Sequence, residues 1–197
     1  MNYMKWLNIL IAFVALLPLY SCKEDLSPSD TDYPLAEPGF LAANINDFAW
    51  KSDPFKRNAG LLNEDDGAYA TYGTFRYGAP PDTFALRNYL EIRAKQEDDT
   101  VRKHLSFYVY NVTGTGTKTT SSGELRGYFK HRLQSSTVFN DFSTEGMSGT
   151  LRITKLDTIN HLISGTFEFT ARHVSNKEQI MHFTKGSFTD VILFSFE

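Results

Sequence analysis

Cys22 is the residue whose type and position most clearly indicate a chemical role, because it is the only cysteine among 197 residues. A cysteine thiolate is a good soft nucleophile, and a lone cysteine has no partner for an internal disulfide. The apolar run at residues 6–19, interrupted only by Asn8 and Pro18, lies just before it and follows Lys5. This run is typical of a secretory signal and is shorter than the roughly 20 residues of a membrane-spanning helix.

The residues before Cys22 resemble the lipobox of bacterial lipoproteins, with Leu19 three positions and Ser21 one position ahead of the cysteine. Tyr20 departs from the small residue that is usual between them. The resemblance implies cleavage between Ser21 and Cys22, a diacylglyceryl group on the Cys22 sulfur, and a further acyl chain such as palmitate on its amine. Since each buried methylene contributes about 0.8 kcal/mol, such chains would anchor the protein to a membrane. The alternative is an ordinary secretory signal followed by a chance cysteine.

Lys23, Glu24 and Asp25 follow the cysteine and resemble the export signal that sends Bacteroidota lipoproteins to the outer face of the outer membrane. The alternative is a solvated start to a linker. Residues 26–38 combine three prolines with serine, threonine and aspartate, a composition typical of a disordered tether. We therefore expect a signal peptide at 1–21, a lipidated cysteine and flexible tether at 22–39, and a single all-β domain at 40–197.

No other motif predicts catalysis. Residues 114–119 resemble a phosphate loop but lack a glycine directly before Lys118 and an amphipathic helix after it. Ser148 lies one residue short of the spacing of a nucleophile elbow. The five histidines lack metal-ligand spacing, and acidic triplets at 64–66 and 97–99 do not fit an EF-hand. We predict no catalytic residue, no metal ligand and no cofactor, although a hydrolase with carboxylates on distant strands stays open.

Apolar and polar residues alternate with a period of two throughout the chain after Phe40, and no segment shows a 3.6-residue apolar stripe. Turn residues separate these runs at intervals of roughly 8–14 residues. The pattern predicts an antiparallel β-sandwich of about 8–10 strands, with a closed lipocalin-like β-barrel as the alternative. The final run at residues 191–196 is apolar on both faces, so we expect a central or covered strand there.

Tyrosine is the most distinctive surface feature of these strands. Tyr108 and Tyr110 share the face opposite Leu105, Phe107 and Val109, so they are candidates for an aromatic surface that binds a sugar or a peptide. The alternative is ordinary packing with hydroxyls at the rim. The wider set comprises Tyr69, Tyr72, Tyr77, Tyr89, Tyr108, Tyr110 and Tyr128.

Two short segments resemble the Asp-Ser/Thr-aliphatic acceptor of O-glycosylation in Bacteroidota. Thr100 lies in Asp-Thr-Val and Thr158 in Asp-Thr-Ile, and both fall in or beside predicted turns. The alternative is a chance match, because the motif is only three residues long. Thr100 and Thr158 are the two candidate attachment sites.

Longer segments resemble a family of Bacteroidota outer-membrane lipoproteins of unknown function. Residues 149–157 end in Lys-Leu-Asp, residues 163–171 read ISGTFEFTA, and residues 184–188 read TKGSF. Residues 43–50 are similar to that family's first strand and turn, with Asp47 at a position where the family commonly has glycine. The resemblance implies a secreted, lipid-anchored β domain and brings no known activity.

The expected function is that of a lipid-anchored cell-envelope protein. We expect an accessory on the outer surface of the outer membrane, without catalytic activity, that binds a glycan, a peptide or an envelope protein complex. The alternatives are a structural or assembly lipoprotein of an envelope complex and the hydrolase with dispersed carboxylates. A nucleic-acid partner is disfavoured because 20 basic residues face 23 acidic ones, a net charge of −3.

Overall fold

Eleven β-strands form the fold of the residues that the computed structural model describes, which are 36–56, 67–77 and 85–196. No helix occurs within these ranges. The all-β class predicted from the two-residue alternation is therefore confirmed, with eleven strands in place of about 8–10. In chain order the strands are β1 (Phe40–Ile45), β2 (Phe48–Lys51), β3 (Ala68–Tyr77), β4 (Ala85–Glu97), β5 (Val101–Tyr110), β6 (Gly116–Thr119), β7 (Leu125–Leu133), β8 (Asn140–Ser143), β9 (Gly149–Asp157), β10 (Leu162–His173) and β11 (Ile180–Phe196).

All eleven strands belong to one sheet in the order β2-β1-β11-β3-β4-β5-β7-β8-β10-β9-β6, and β10 also pairs with β11. Because of that additional pairing, the run from β11 through β3, β4, β5, β7 and β8 to β10 returns to β11. Neighbouring strands pair antiparallel, as predicted, except for β11 and β3. These two parallel strands come from opposite ends of the domain, so the chain between them supplies the crossover.

Strand β11 is the central element of the sheet. Its first two thirds pair with β10 on one side and β1 on the other, and its last residues pair with β3. Val191 and Leu193 are fully buried. Within the run predicted to be central or covered, Val191 and Ile192 pair with β10, and residues 192–196 pair with β3.

Phenylalanine rings fill the core between the strands. Phe169 stacks on Phe183 with ring centroids 4.1 Å apart, and Phe107 lies 4.7 Å from Phe167. Gly186 makes room for this cluster, because a Cβ there would lie 2.4 Å from Cε2 of Phe167. Its absent side chain is thus a packing requirement.

Several sequence predictions lie outside the described residues. They include the signal peptide, nearly all of the tether, the acidic triplet at 64–66, and the anchor and export residues. Within the described part of the chain, no helix is long and apolar enough to cross a membrane. The anchor and export residues are Ser21, Cys22, Lys23, Glu24 and Asp25.

Candidate functional site

The outward side chains of β4, β5 and β7 form a surface that we call the groove face. Side chains alternate along these adjacent strands, so Leu90, Phe107 and Phe129 are buried in the core while their neighbours lie on the other side. Across the strands, Ser106 is opposite both Arg93 and Tyr128. The groove face comprises Tyr89, Glu91, Arg93, Lys95 and Glu97 of β4, Arg102, His104, Ser106, Tyr108 and Tyr110 of β5, and Arg126, Tyr128, Lys130 and Arg132 of β7.

A cleft of about 510 Å³ lies on this face. Tyr108 and Tyr110, the two candidates from the sequence, both line it. The cleft is large enough for a small ligand or a short oligomer. Its described lining is Arg93, His104, Ser106, Tyr108, Tyr110, Tyr128 and Lys130.

Four tyrosines form a continuous row on the groove face. The ring of Tyr108 lies 5.5 Å from that of Tyr128, nearly perpendicular to it, and 6.0 Å from that of Tyr89. Tyr89 in turn lies 5.9 Å from Tyr110. Each ring is half-buried, so its neighbours restrict its orientation before any ligand arrives.

An ion pair lies beneath the tyrosine row. Glu91 is only 8% exposed and accepts a hydrogen bond from Nε of Arg93. Nη1 of Arg93 also donates to the Tyr69 hydroxyl over 3.4 Å. A buried carboxylate is tolerated only with such partners. The pair therefore orients the Arg93 guanidinium, which lines the cleft.

Two of the four tyrosines, Tyr89 and Tyr108, have a raised pKa. Burial and the neighbouring Glu91 carboxylate raise the pKa of Tyr108 to about 12, and the same two causes raise the pKa of Tyr89 further. Burial by itself would lower the pKa of Arg93, but its hydrogen bond to Glu91 and the charge of Glu91 raise it. At neutral pH Tyr89 and Tyr108 are thus neutral phenols, and Arg93 is a permanent cation.

His104 lies at the basic end of the cleft, where its ring contacts Phe139 edge to face with centroids 5.9 Å apart. Burial, followed by the positive charges of Lys95 and Arg102, lowers the pKa of His104 to about 4. The imidazole is therefore neutral at physiological pH. Its Nε2 atom is buried and has no hydrogen-bond partner among the described residues, an arrangement that is uncommon in folded proteins.

The groove face is locally basic although the whole chain has a net charge of −3. With its β8 neighbour Asp141, it carries six basic and three acidic side chains. Much of the acidic charge is already engaged, because Glu97 pairs with Lys95 at 2.9 Å and with Arg102. Burial alone would raise the pKa of Glu97, but hydrogen bonds from Arg102, Gln134 and Lys95 lower it to about 2. Lys130, which lines the cleft, and Arg126, whose guanidinium lies near the Tyr110 ring, are both exposed.

The two candidate glycosylation sites lie away from the groove lining, in exposed turns. Thr100 lies between β4 and β5, and its hydroxyl donates to Oδ1 of Asp98 over 2.6 Å. Thr158 lies between β9 and β10, where Asp157 accepts a hydrogen bond from the Asn160 amide over 2.8 Å. Both threonines are accessible to a modifying enzyme.

The motifs that resembled catalytic elements have structural roles. Residues 116–119 form the short strand β6, and Lys118 binds Glu124 at 3.2 Å and the Asn111 carbonyl at 3.0 Å. Ser148 lies in the turn before β9. Asp98 accepts the amides of Thr100 and Val101 in its turn. No group of three His, Cys, Asp or Glu side chains that could hold a metal occurs among the described residues.

The sequence did not identify Glu91, Arg93, His104 or Lys130 as members of the site. A signal was present in residues 89–95, where Tyr, Glu, Arg and Lys alternate with Leu90, Ile92 and Ala94. That alternation indicates a shared outward face. It does not indicate which other strands lie beside it.

The described residues thus define an all-β protein whose distinctive feature is one aromatic and basic cleft on the face of its sheet. Residues 83–192 match a family model described as Domain of unknown function (DUF6252). The match covers more than half of the chain and contains β4, β5 and β7, so the chain belongs to this family. No curated protein and no solved structure matches the chain. Membership in a family of unknown function agrees with the prediction from the sequence.

Proposed function

We propose that this protein is a lipid-anchored accessory protein of the bacterial cell envelope that binds a ligand in the cleft of the groove face. The observation that carries the binding role is the row of four half-buried tyrosines beside the partly buried ion pair of Glu91 and Arg93. The proposed anchor rests on the sequence before and after Cys22. The Bacteroidota origin and the position on the outer surface rest on the resemblances of the same region and of the β domain.

The tyrosine row and its ion pair favour a binding role, because removing these polar groups from water costs free energy that an ordinary exposed surface does not require. Partial burial of Glu91 and Arg93 requires desolvation that an exposed pair avoids. The half-buried tyrosine rings combine apolar area with hydroxyl groups that can form hydrogen bonds. Protein surfaces that combine these properties are typical of recognition sites.

The cleft favours binding over hydrolysis by a carboxylate pair. None of the described residues that line it is acidic. Glu91 lies on the same face but is engaged with Arg93. Glycoside hydrolysis usually requires two carboxylates on either side of the scissile bond, and this arrangement supplies no such pair at the cleft.

The binding role can be tested with the full mature chain in detergent, screened by thermal shift against oligosaccharides and short peptides. A ligand that binds the folded state raises the melting temperature. We expect at least one such ligand, with the shift lost in the double variant Tyr108→Ala/Tyr110→Ala. Phe48→Ala is the matched control, because that ring is 78% exposed and lies on β2, outside the groove face. Retention of the shift in the double variant would contradict the assignment of the site.

The anchor can be tested by substituting Cys22→Ala and fractionating cells that express the protein. Loss of the acyl chains removes the proposed membrane attachment, so the variant is expected in the soluble fraction. Cleavage of the native protein by external protease, reduced by Lys23→Ala/Glu24→Ala/Asp25→Ala, would support the outer-surface position. Unchanged membrane retention of Cys22→Ala would overturn the lipid anchor.

A further inference from the structure

We propose that the ligand of the groove is an acidic oligosaccharide whose sugar rings pack on the tyrosines while its carboxylates pair with the basic rim. This inference rests on the proposed binding function and specifies its ligand class. It follows from the ring geometry, from the charges around the rings, and from the strand backbone beneath them.

The tyrosine row offers ring faces and hydroxyls together. An aromatic face carries partial negative charge, which attracts the polarised C–H groups of a pyranose ring. The centroid spacings of 5.5 to 6.0 Å along the row place rings on both sides of Tyr108. Sugar hydroxyls can then bond to the phenols and to Ser106, which lines the same cleft.

Cations lie at both ends of the aromatic row. Lys130 and Arg126 are four residues apart on β7, with Tyr128 between them, so their Cα atoms are separated by about 13 Å along the strand. The Arg126 guanidinium lies 6.0 Å from the Tyr110 ring centroid. Among the described residues, Lys130 pairs with Asp141 at 3.7 Å, and both side chains are exposed by more than 40%. Both cations can therefore engage carboxylates of a ligand that lies across Tyr128.

The polar groups at the basic end have bonding capacity left. Arg93 donates to Glu91 and Tyr69, but a guanidinium has five N–H donors. The His104 ring lines the same cleft as Ser106 and Lys130. A ligand hydroxyl or carboxylate beside Arg93 would accept hydrogen bonds from its remaining donors.

The backbone geometry favours a saccharide over a peptide. Strand β4 pairs with β3 and β5, strand β5 with β4 and β7, and residues 128–131 of β7 with β8. In the middle of the groove face, between Tyr89 and Ala94 of β4 and around Tyr128 of β7, the described strands therefore have a neighbour on each side. Addition of an extended peptide strand requires a free strand edge, so recognition here depends on side chains.

The test is titration calorimetry of the full mature chain in detergent with three probes. The probes are a tetramer of galacturonic acid, the same tetramer as its methyl ester, and tetraglutamate. We expect the acidic tetramer to bind at least about tenfold more tightly than either other probe. Its affinity should fall as ionic strength rises from about 0.05 M to about 0.5 M, because screening weakens exposed charge pairs.

The matched variants separate charge from stacking. Arg126→Gln/Lys130→Gln should weaken binding of the acidic tetramer about tenfold or more, and Tyr108→Ala should do the same. The control Lys51→Gln/Lys177→Gln also removes two basic side chains, outside the groove face, and should leave affinity unchanged. Since Arg126 and Lys130 are exposed, that double variant keeps its fold even if Tyr108→Ala does not.

Different outcomes separate this inference from the proposed function. Equal binding of the acid and its methyl ester would overturn the acidic ligand class and leave a sugar-binding groove. Tighter binding of tetraglutamate would overturn the saccharide and leave a binding groove. Absence of binding by all three probes would overturn the inference, whereas only failure of the wider ligand screen would count against the binding function itself.

Discussion

Strands β4, β5 and β7 carry aromatic residues on both faces, and the two sets pack differently. The inward phenylalanines join a larger cluster in which Phe107 is 1% exposed and lies 4.7 Å from Phe167. The outward tyrosines contact one another at 5.5 to 6.0 Å, stay half-buried and border an open cleft.

This difference shows that residues alternating along the same strands form a densely packed inner face and a more open outer face. Dense contacts among rings stabilise the fold through burial and dispersion. The outward rings make looser contacts and are half-exposed, so a ligand can contact them. Inward changes should therefore act mainly on stability and outward changes mainly on binding.

The largest effect is expected for Phe107→Ala. Removal of this buried ring leaves a cavity beside Phe167 and Phe169, and such truncations cost about 3–5 kcal/mol. The outward counterpart Tyr110→Ala should cost about 1 kcal/mol, since it removes one aromatic contact. Urea unfolding followed by circular dichroism measures both values. Equal losses for the two variants would contradict the division between the faces.

Gly186→Ala should destabilise the fold by about 1–3 kcal/mol, because a methyl group there overlaps the Phe167 ring. Gly114→Ala is the control, since its added Cβ meets no atom within 4 Å. The free energy of unfolding is the measurement for both variants. A neutral Gly186→Ala would show that the phenylalanine cluster tolerates repacking and is less dense than its ring contacts indicate.

Glu91→Gln tests the charged base of the groove face. The substitution leaves Arg93 without its carboxylate, and we expect a loss of about 1–2 kcal/mol, because water still reaches part of the guanidinium. The exposed pair Lys51 and Glu37 supplies the control, where Glu37→Gln should change stability by less than about 0.5 kcal/mol. If denaturant unfolding showed the same loss of stability for Glu91→Gln and Glu37→Gln, the Glu91–Arg93 pair would contribute no more than an exposed ion pair.

His104 should make the free energy of unfolding depend on pH. Its pKa in the fold is lowered from 6.5 to about 4, so the unfolded chain binds more protons between these values. The stabilisation by neutral His104 is present above about pH 6.5 and is lost as pH falls toward about 4.

The measurement for His104 is the free energy of unfolding at pH 7 and near pH 4.5. His104→Gln should lose less stability over this interval than the native protein, because glutamine does not titrate. Comparison of the two chains removes contributions from other groups, including His131, whose pKa is also lowered by burial and by nearby positive charge. If the native protein and His104→Gln showed the same pH dependence, this would contradict the burial of His104.

Part of the candidate site was predictable from local pattern. The alternation of Leu105, Phe107 and Val109 with Tyr108 and Tyr110 predicted a strand with two different faces, and β5 has them. The four-residue separation of Arg126 and Lys130 on one strand can be read in the same way. The position of Arg126 and Lys130 relative to Tyr108 cannot be predicted from local pattern, because it depends on which strands are neighbours.

The sequence by itself determined the all-β class, the alternating faces and membership in a family of unknown function, because side-chain alternation and motif similarity are local properties of a chain. Only the tertiary structure decided that Ser106 lies between Arg93 and Tyr128. It also decided that Ile192 of β11 pairs in parallel with Tyr69 of β3. Strand order and register arise from packing between residues far apart in the chain, and a two-residue period is compatible with many such arrangements.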